Sequence, residues 1–187
     1  TFTLDYREKA PAAAHRDLFL NDSGNVVPGM SLFSRAGSGV PGTVDGLIRA
    51  LADHGSGNIT LRQALAPAIR LAEKGFELSH YEARRFNGYE GLFQSNDAAA
   101  AIFIRKNNNP WKKGDKLVQR DLAKTLKRIS KYGRDGFYTG PVADLIVAEM
   151  KRGNGLISLE DLKNYSSVYL DPVSGTYKEH EVISMGP

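Results

Sequence analysis

The chain has 187 residues, of which 41% are hydrophobic and 25% are charged, and its formal net charge is +4. This composition is that of an ordinary globular domain, which excludes collagen-like, disordered and disulfide-scaffold classes. Because cysteine is absent, disulfides, thiolate catalysis and cysteine-bound zinc are excluded as well. The length predicts a single domain over residues 1–187.

Nucleic acid and membrane are not predicted as partners. Lys and Arg are spread along the chain and never form a run of five or more, so the charge allows only weak attraction to anions. Apolar runs such as Leu145–Ala148 are far shorter than the roughly 20 residues of a membrane-spanning helix. The printed residues contain no basic segment followed by an apolar stretch, so no signal peptide is predicted in them.

Strand patterns lie at both ends of the chain. Apolar and polar residues alternate in Thr1–Tyr6, and this period of two is typical of strands; Glu181–Met185 also resembles a strand segment. We expect both ends to be cut points inside strands, and the chain to be part of a longer protein.

The first third of the chain combines helix and loop signals. Ala10–Phe19 predicts a short helix with Pro11 in its first turn. Residues 21–42 carry five glycines and no sustained period, which indicates a loop with a short strand near Met30–Phe33. From Thr43 the apolar spacing predicts a helix to about His54, with Gly55 as a left-handed cap.

Three capping boxes predict the starts of later helices, because a Ser or Thr hydroxyl and an acid or amide three residues on can satisfy free helix amides. These boxes are Thr60–Gln63, Ser79–Glu82 and Ser158–Asp161. The first of the three helices contains Pro67, which should kink it, and Gly75 should end it.

The remaining elements complete a mixed pattern. We predict a strand at Ala101–Ile104, followed by a turn at Lys106–Pro110. Two helices follow: one with a basic face over Val118–Tyr132, and one from Gly140 to Gly153 that buries Val142, Leu145, Ile146 and Met150. The tail, Val168–Met185, is predicted to form two or three strands broken by Pro172 and Gly175. Many short amphipathic helices with strands at both ends predict an α+β fold whose sheet is only partly contained in this chain.

Metal and cofactor sites are not predicted. The histidines are scattered and no HExxH pattern occurs; they are His15, His54, His80 and His180. Gly37–Gly42 has the spacing GxGxxG, but Pro41 removes one of the amides that would bind phosphate, and no βαβ context follows.

No catalytic residue is assigned. The chain has neither a GxSxG motif nor a cysteine. Thr1 could act as a nucleophile with its own α-amine as base. We do not assign this role to Thr1, because the chain start is expected to be a cut point within a strand.

The charged segment Asp5–Lys9 stands at the end of the first predicted strand. It is consistent with a solvated strand end. It is also consistent with a binding site, because the planar guanidinium of Arg7 can form a paired hydrogen bond with a carboxylate, which lysine does not reproduce.

Several segments together resemble the γ-glutamyltranspeptidase family, in the middle and later part of its large subunit. Asp5–Pro11 resembles the family segment DxRExAP, and Ser38–Gly46 resembles SGVPGTVxG. Further similarity lies in Pro67–Gly75, Gly136–Gly140, Gly155–Leu162 and the tail around Tyr177. The resemblance covers essentially the whole chain.

This resemblance implies an N-terminal-nucleophile hydrolase with an αββα sandwich, of which the chain would be a mainly helical fragment. It implies a precursor that cleaves itself, and a small subunit whose new N-terminal threonine attacks γ-glutamyl amides such as glutathione. The glutamyl group then passes to water or an amino acid. By the same resemblance Arg7 pairs with the α-carboxylate of the γ-glutamyl group, the enzyme needs no cofactor, and its location is periplasmic or extracellular.

Two alternatives remain at this point. A glutaryl or cephalosporin acylase of the same superfamily would share the large-subunit pattern, since the small subunit would decide the substrate. A non-catalytic basic helical module that binds anionic polymers would explain the charge without any reaction.

Overall fold

The computed structural model describes residues 2–105 and 109–186. Thr1 lies outside these residues, and so does the Lys106–Asn108 part of the predicted turn. The described chain contains helices together with small strand pairs, and a strand lies near each end, which confirms the α+β prediction.

The helices of the described chain are mostly short. In chain order they are α1 (Met30–Phe33), α2 (Thr43–His54), α3 (Leu61–Lys74), α4 (His80–Gly88), α5 (Glu90–Gln94), α6 (Asp97–Phe103), α7 (Arg120–Tyr132), α8 (Asp135–Tyr138), α9 (Gly140–Arg152) and α10 (Leu159–Asn164). The strands are β1 (Thr3–Asp5), β2 (Phe76–Glu77), β3 (Lys116–Leu117), β4 (Val168–Leu170), β5 (Val173–Tyr177) and β6 (His180–Ser184).

The chain forms two compact units. The terminal unit comprises Thr1–Leu61 and Arg128–Pro187, and the central unit comprises Arg62–Lys127. The expectation of a single partial domain stays a prediction, because two compact units can belong to one domain.

The terminal unit joins the two ends of the chain. β1 pairs antiparallel with β4, so that Leu4 lies opposite Tyr169. β5 and β6 form an antiparallel hairpin whose residues are all exposed. The core of the unit lies among α2, α8, α9 and α10 and contains Val40, Tyr138, Ala143, Met150, Ile157, Leu162 and Tyr165.

The central unit has its own core beside the β2–β3 pair. Leu78, Ala83 and Leu117 are buried there, and an aromatic group packs against them: Phe76, Phe86, Phe103 and Trp111. The predicted capping box at the start of α4 is confirmed, because the Ser79 hydroxyl accepts from the Glu82 amide and the Glu82 carboxylate accepts from the Ser79 amide.

Two predictions about the first third of the chain were wrong. Residues 10–19 form successive turns instead of a helix, with bonds such as Ala14 N to Pro11 O at 2.9 Å. The Ala12 amide donates to Asp161 at 2.8 Å, and this long-range bond anchors the segment to α10. The predicted strand at Met30–Phe33 is the short helix α1, because a four-residue segment with three apolar residues does not distinguish the two structures.

Later predictions also need correction. Ala101–Ile104 is mostly helical, because α6 begins at an Asn96 cap that we had not used as a signal. Leu145 is 70% exposed rather than buried, and Gly175 lies inside β5 instead of ending a strand. Gly55 caps α2 in an extended rather than left-handed conformation.

Candidate functional site

Arg7 follows β1 at the surface of the terminal unit. Its main chain is held from two sides: the amide donates to Asp5 Oδ1 at 2.9 Å, and the carbonyl accepts from the Tyr165 hydroxyl at 2.8 Å. The guanidinium forms no hydrogen bond or ion pair with any residue in 2–105 or 109–186. The structure therefore fixes the backbone of Arg7 and leaves its charged group available to a ligand.

A cavity of about 340 Å³ lies beside this residue. Its lining comes from the terminal unit: Leu4, Asp5, Tyr6, Arg7, Glu8, Thr43 and Met185. The volume lies at the lower end of the range of small-molecule pockets, about 300–1,000 Å³. A free guanidinium at such a cavity can bind a small carboxylate.

Glycines in the segment Ser38–Gly46 allow the segment Asp5–Lys9, which contains Arg7, to lie close to it. A Cβ on Gly42 would overlap the Tyr165 hydroxyl and the Tyr6 carbonyl oxygen, and a Cβ on Gly46 would overlap the Tyr6 ring. The two segments are also bridged, because the Val40 amide donates to the Lys9 carbonyl at 2.7 Å. The two segments that resemble the family motifs are thus in direct contact.

Gly42→Ala should therefore displace the backbone next to Arg7. The overlapping Tyr6 oxygen belongs to the main chain and cannot rotate away, so we expect a loss of about 1–3 kcal/mol of stability. Urea denaturation of the full-length protein measures this loss. Gly91→Ala is the control, because nothing lies within 4 Å of a Cβ there, and it should be neutral or stabilising. Equal effects of the two changes would contradict the prediction.

Tyr165 holds the main chain of Arg7, because its hydroxyl donates a hydrogen bond to the Arg7 carbonyl. Its ring stacks on Tyr138, with the centroids 5.7 Å apart and the planes 5° from parallel. The Lys9 ammonium lies 5.2 Å from the centre of the Tyr165 ring and donates to the Ser166 carbonyl at 2.8 Å. Burial, and then the nearby carboxylates, raise the pKa of Tyr165, so the hydroxyl keeps the proton that it donates.

The buried carboxylate of Asp45 is connected to Tyr165 through Arg134. Asp45 is 8% exposed, and it accepts from Arg134 Nε at 2.8 Å and from the Ser167 amide and hydroxyl at 2.8 and 2.7 Å. Arg134 also donates to the Tyr165 carbonyl. Burial alone would raise the pKa of Asp45, but the hydrogen bonds from Ser167, and then those from Arg134, lower it. Asp45 is therefore held as an anion inside the unit.

Sequence reasoning identified Arg7 but missed the residues that position it. Asp45 lies inside the segment Ser38–Gly46 and was considered only as part of a motif, and Tyr165 was assigned no role. Metal ligands do not cluster: within the described ranges no group of three or more His, Asp or Glu side chains could hold an ion. Across the same ranges, every helix is too short or too polar to cross a bilayer.

Comparison with known sequences gives a consistent result. The family model for γ-glutamyltranspeptidase matches residues 1–187. The glutathione hydrolase proenzyme of Pseudomonas sp. (strain A14) is 43% identical over 98% of this chain, and that of Escherichia coli (strain K12) is 41% identical over 100%. The chain spans about a third of the length of these relatives, 32% in each case.

Comparison with solved structures agrees with the sequence result. The γ-glutamyltranspeptidase of Helicobacter pylori superposes with a TM-score of 0.95 at 40% identity, and the match covers all of this chain and 53% of that one. A cephalosporin acylase from Bacillus halodurans superposes with a TM-score of 0.82 at 22% identity, covering 100% of this chain and 35% of that one, which shows a shared fold alone. These structures agree with the predicted fragment of an N-terminal-nucleophile hydrolase fold. The chain belongs to the γ-glutamyltranspeptidase family.

Proposed function

We propose that this chain is part of the large subunit of a precursor that matures into a γ-glutamyl hydrolase and transferase. The substrates are γ-glutamyl amides such as glutathione, and the acceptors are water or amino acids. The support is the family match over the whole chain, together with relatives named as glutathione hydrolase proenzymes. The partner is the small subunit of the same precursor, which carries the nucleophilic threonine.

The observation that carries this proposal is the state of Arg7. Its backbone is held by Asp5 and Tyr165, Arg7 lines a cavity of about 340 Å³, and its guanidinium has no partner among the described residues. An unpaired guanidinium on a backbone held in this way can pair with the α-carboxylate of a γ-glutamyl group through two parallel hydrogen bonds. Arg7 would position the substrate and take no part in bond breaking.

The reaction follows from this division of roles. The threonine hydroxyl attacks the γ-carbonyl, and the amine of the leaving group departs with a proton, so that an ester to the enzyme forms. Water or an amino acid then attacks the ester, and the threonine regains its proton. Arg7 holds the α-carboxylate throughout, which keeps the γ-carbonyl at a fixed distance from the nucleophile. No cofactor is required, and we propose a periplasmic or extracellular location.

Paired substrates test the proposal in the full-length protein. We expect kcat/KM for a γ-glutamyl anilide to exceed that for a glutaryl anilide at least about tenfold, because the glutaryl group keeps the terminal carboxylate but lacks the α-amino group, so the site's contacts with that group are lost. Release of the aniline, followed by absorbance, gives both values. A preference for the glutaryl substrate would instead establish an acylase, and no hydrolysis of either would overturn the assignment as an enzyme.

A further inference from the structure

The net positive charge of the chain belongs to the central unit. Arg62–Lys127 contains thirteen Lys and Arg against seven Asp and Glu, a balance of +6, whereas the terminal unit contains twelve against fourteen, a balance of −2. Along the sequence the basic residues form no long run. When the charges are counted in each unit, the 66 residues of the central unit are strongly basic.

One cavity of the central unit is lined by cations from two separate segments. It has a volume of about 360 Å³ and is formed by His80, Ala83, Arg84, Asn87, Trp111, Lys112 and Lys113. His80 and Arg84 are four residues apart on α4 and therefore share one face of that helix. Lys112 and Lys113 come from the segment that precedes β3.

Direct hydrogen bonds hold these two segments together. The Trp111 amide donates to Asn87 Oδ1 at 2.8 Å, and the Asn87 side-chain amide donates to the Trp111 carbonyl at 3.0 Å. The Lys112 amide donates to Asp115 Oδ2 at 2.7 Å, and this bond fixes the turn that follows. The cavity is therefore built on a backbone with defined geometry, although the cationic side chains themselves are exposed.

Four acidic side chains of the described central unit are engaged in contacts outside the group Arg84, Lys112 and Lys113. Three of them pair with cations elsewhere: Asp115 with Arg105, Glu73 with Lys127, and Asp121 with Lys124. The Glu82 carboxylate is engaged in capping α4. Within the described ranges, no ion pair involves Arg84, Lys112 or Lys113.

Like charges that converge without counterions repel one another, and a concave surface concentrates their field. We propose that this cavity is a second anion-binding site, separate from Arg7, that takes a small ligand with a phosphate or paired carboxylate groups. Arg84, Lys112 and Lys113 bind the charged group, and His80 lies at the edge of the same cavity. The proposal does not depend on the γ-glutamyl reaction.

Calorimetric titration of the full-length protein tests the site, with inorganic phosphate and malonate as probes at constant ionic strength. We expect saturable binding of at least one probe, and comparison of the two shows whether the site prefers phosphate or carboxylates. The double change Lys112→Gln and Lys113→Gln should weaken binding at least about tenfold, because charge-assisted contacts are lost.

Two controls separate this site from general charge and from Arg7. The double change Arg62→Gln and Arg70→Gln removes the same charge from exposed positions of α3, and it should alter affinity less than about twofold. Arg7→Ala should leave the affinity unchanged. If the lysine variant does not fold, as judged by circular dichroism, Arg84→Gln replaces it. The absence of saturable binding, or an equal loss in the α3 control, would overturn the proposal.

Discussion

Arg7→Ala is expected to raise KM for a γ-glutamyl anilide at least about 30-fold in the full-length enzyme, with a much smaller change in kcat. Loss of one partner from a hydrogen-bonded charge pair costs about 2–5 kcal/mol, since the carboxylate of the substrate is left without a partner. The change should fall on KM because, in the proposed role, Arg7 would bind the α-carboxylate equally in the ground and transition states. Steady-state kinetics with increasing substrate concentration measure both constants.

Two comparisons make this test specific. Arg7→Lys keeps the charge but loses the planar pair of donors, so its KM should lie between those of the parent and Arg7→Ala. A substrate whose α-carboxylate is replaced by a carboxamide should be hydrolysed poorly by the parent and be almost insensitive to Arg7→Ala. If the carboxamide and the carboxylate lose activity equally, Arg7 does not bind this carboxylate.

Local signals in the sequence predicted the elements that local bonds stabilise. The boxes at Ser79 and Ser158 place both the acceptor and the donor within four residues, and both helices begin where these boxes predict. Gly75 ends α3 with φ at +80°, the left-handed conformation that glycine adopts without strain. Such features depend on a few neighbouring residues and on no distant contact.

Where distant contacts decide the structure, the same reasoning failed. Ala12 was assigned to a helix, but its amide bonds to Asp161 across 149 positions of sequence. Asp45 meets Arg134 and Ser167 across 89 and 122 positions, and no periodic pattern links these three residues. Arg7 itself was found only through family resemblance, because a charged strand end is physically ordinary.

The contacts that hold the main chain of Arg7 in place therefore include long-range polar bonds as well as apolar packing. Asp45 connects α2 to Ser167 and to Arg134, and Arg134 in turn reaches the carbonyl of Tyr165. Tyr165 then donates to Arg7. Changes in Asp45 should thus reach Arg7, the proposed substrate-binding residue, through two intermediate residues, so their main effect is expected on stability and their secondary effect on KM.

Asp45→Ala is expected to destabilise the full-length protein by about 3–5 kcal/mol. The substitution leaves the partly buried Arg134 without its counterion and removes the acceptor of both Ser167 donors, and breaking a buried pair from one side costs this much. The shift of the urea midpoint measures the loss. Asp53→Ala is the control, since its pair with Arg49 at 3.5 Å and its hydrogen bond from the Tyr169 hydroxyl at 2.8 Å are partly exposed, and about 1 kcal/mol or less is expected there. Similar losses in both variants would contradict the role of Asp45.

The pH dependence of the same group gives an independent check. The hydrogen bonds to Asp45 prevail over burial, so its pKa in the folded protein lies below the ordinary value of 3.8. Its contribution to stability is therefore complete above pH 3.8 and declines as the pH falls through the lower, folded-state pKa. Asp45→Asn removes this titration while keeping the shape of the side chain. The difference in stability between the parent and Asp45→Asn should stay constant from neutral pH to about pH 5 and shrink in stronger acid. A difference that grows with acid would mean that the folded state binds the proton more tightly, which the contacts of Asp45 do not allow.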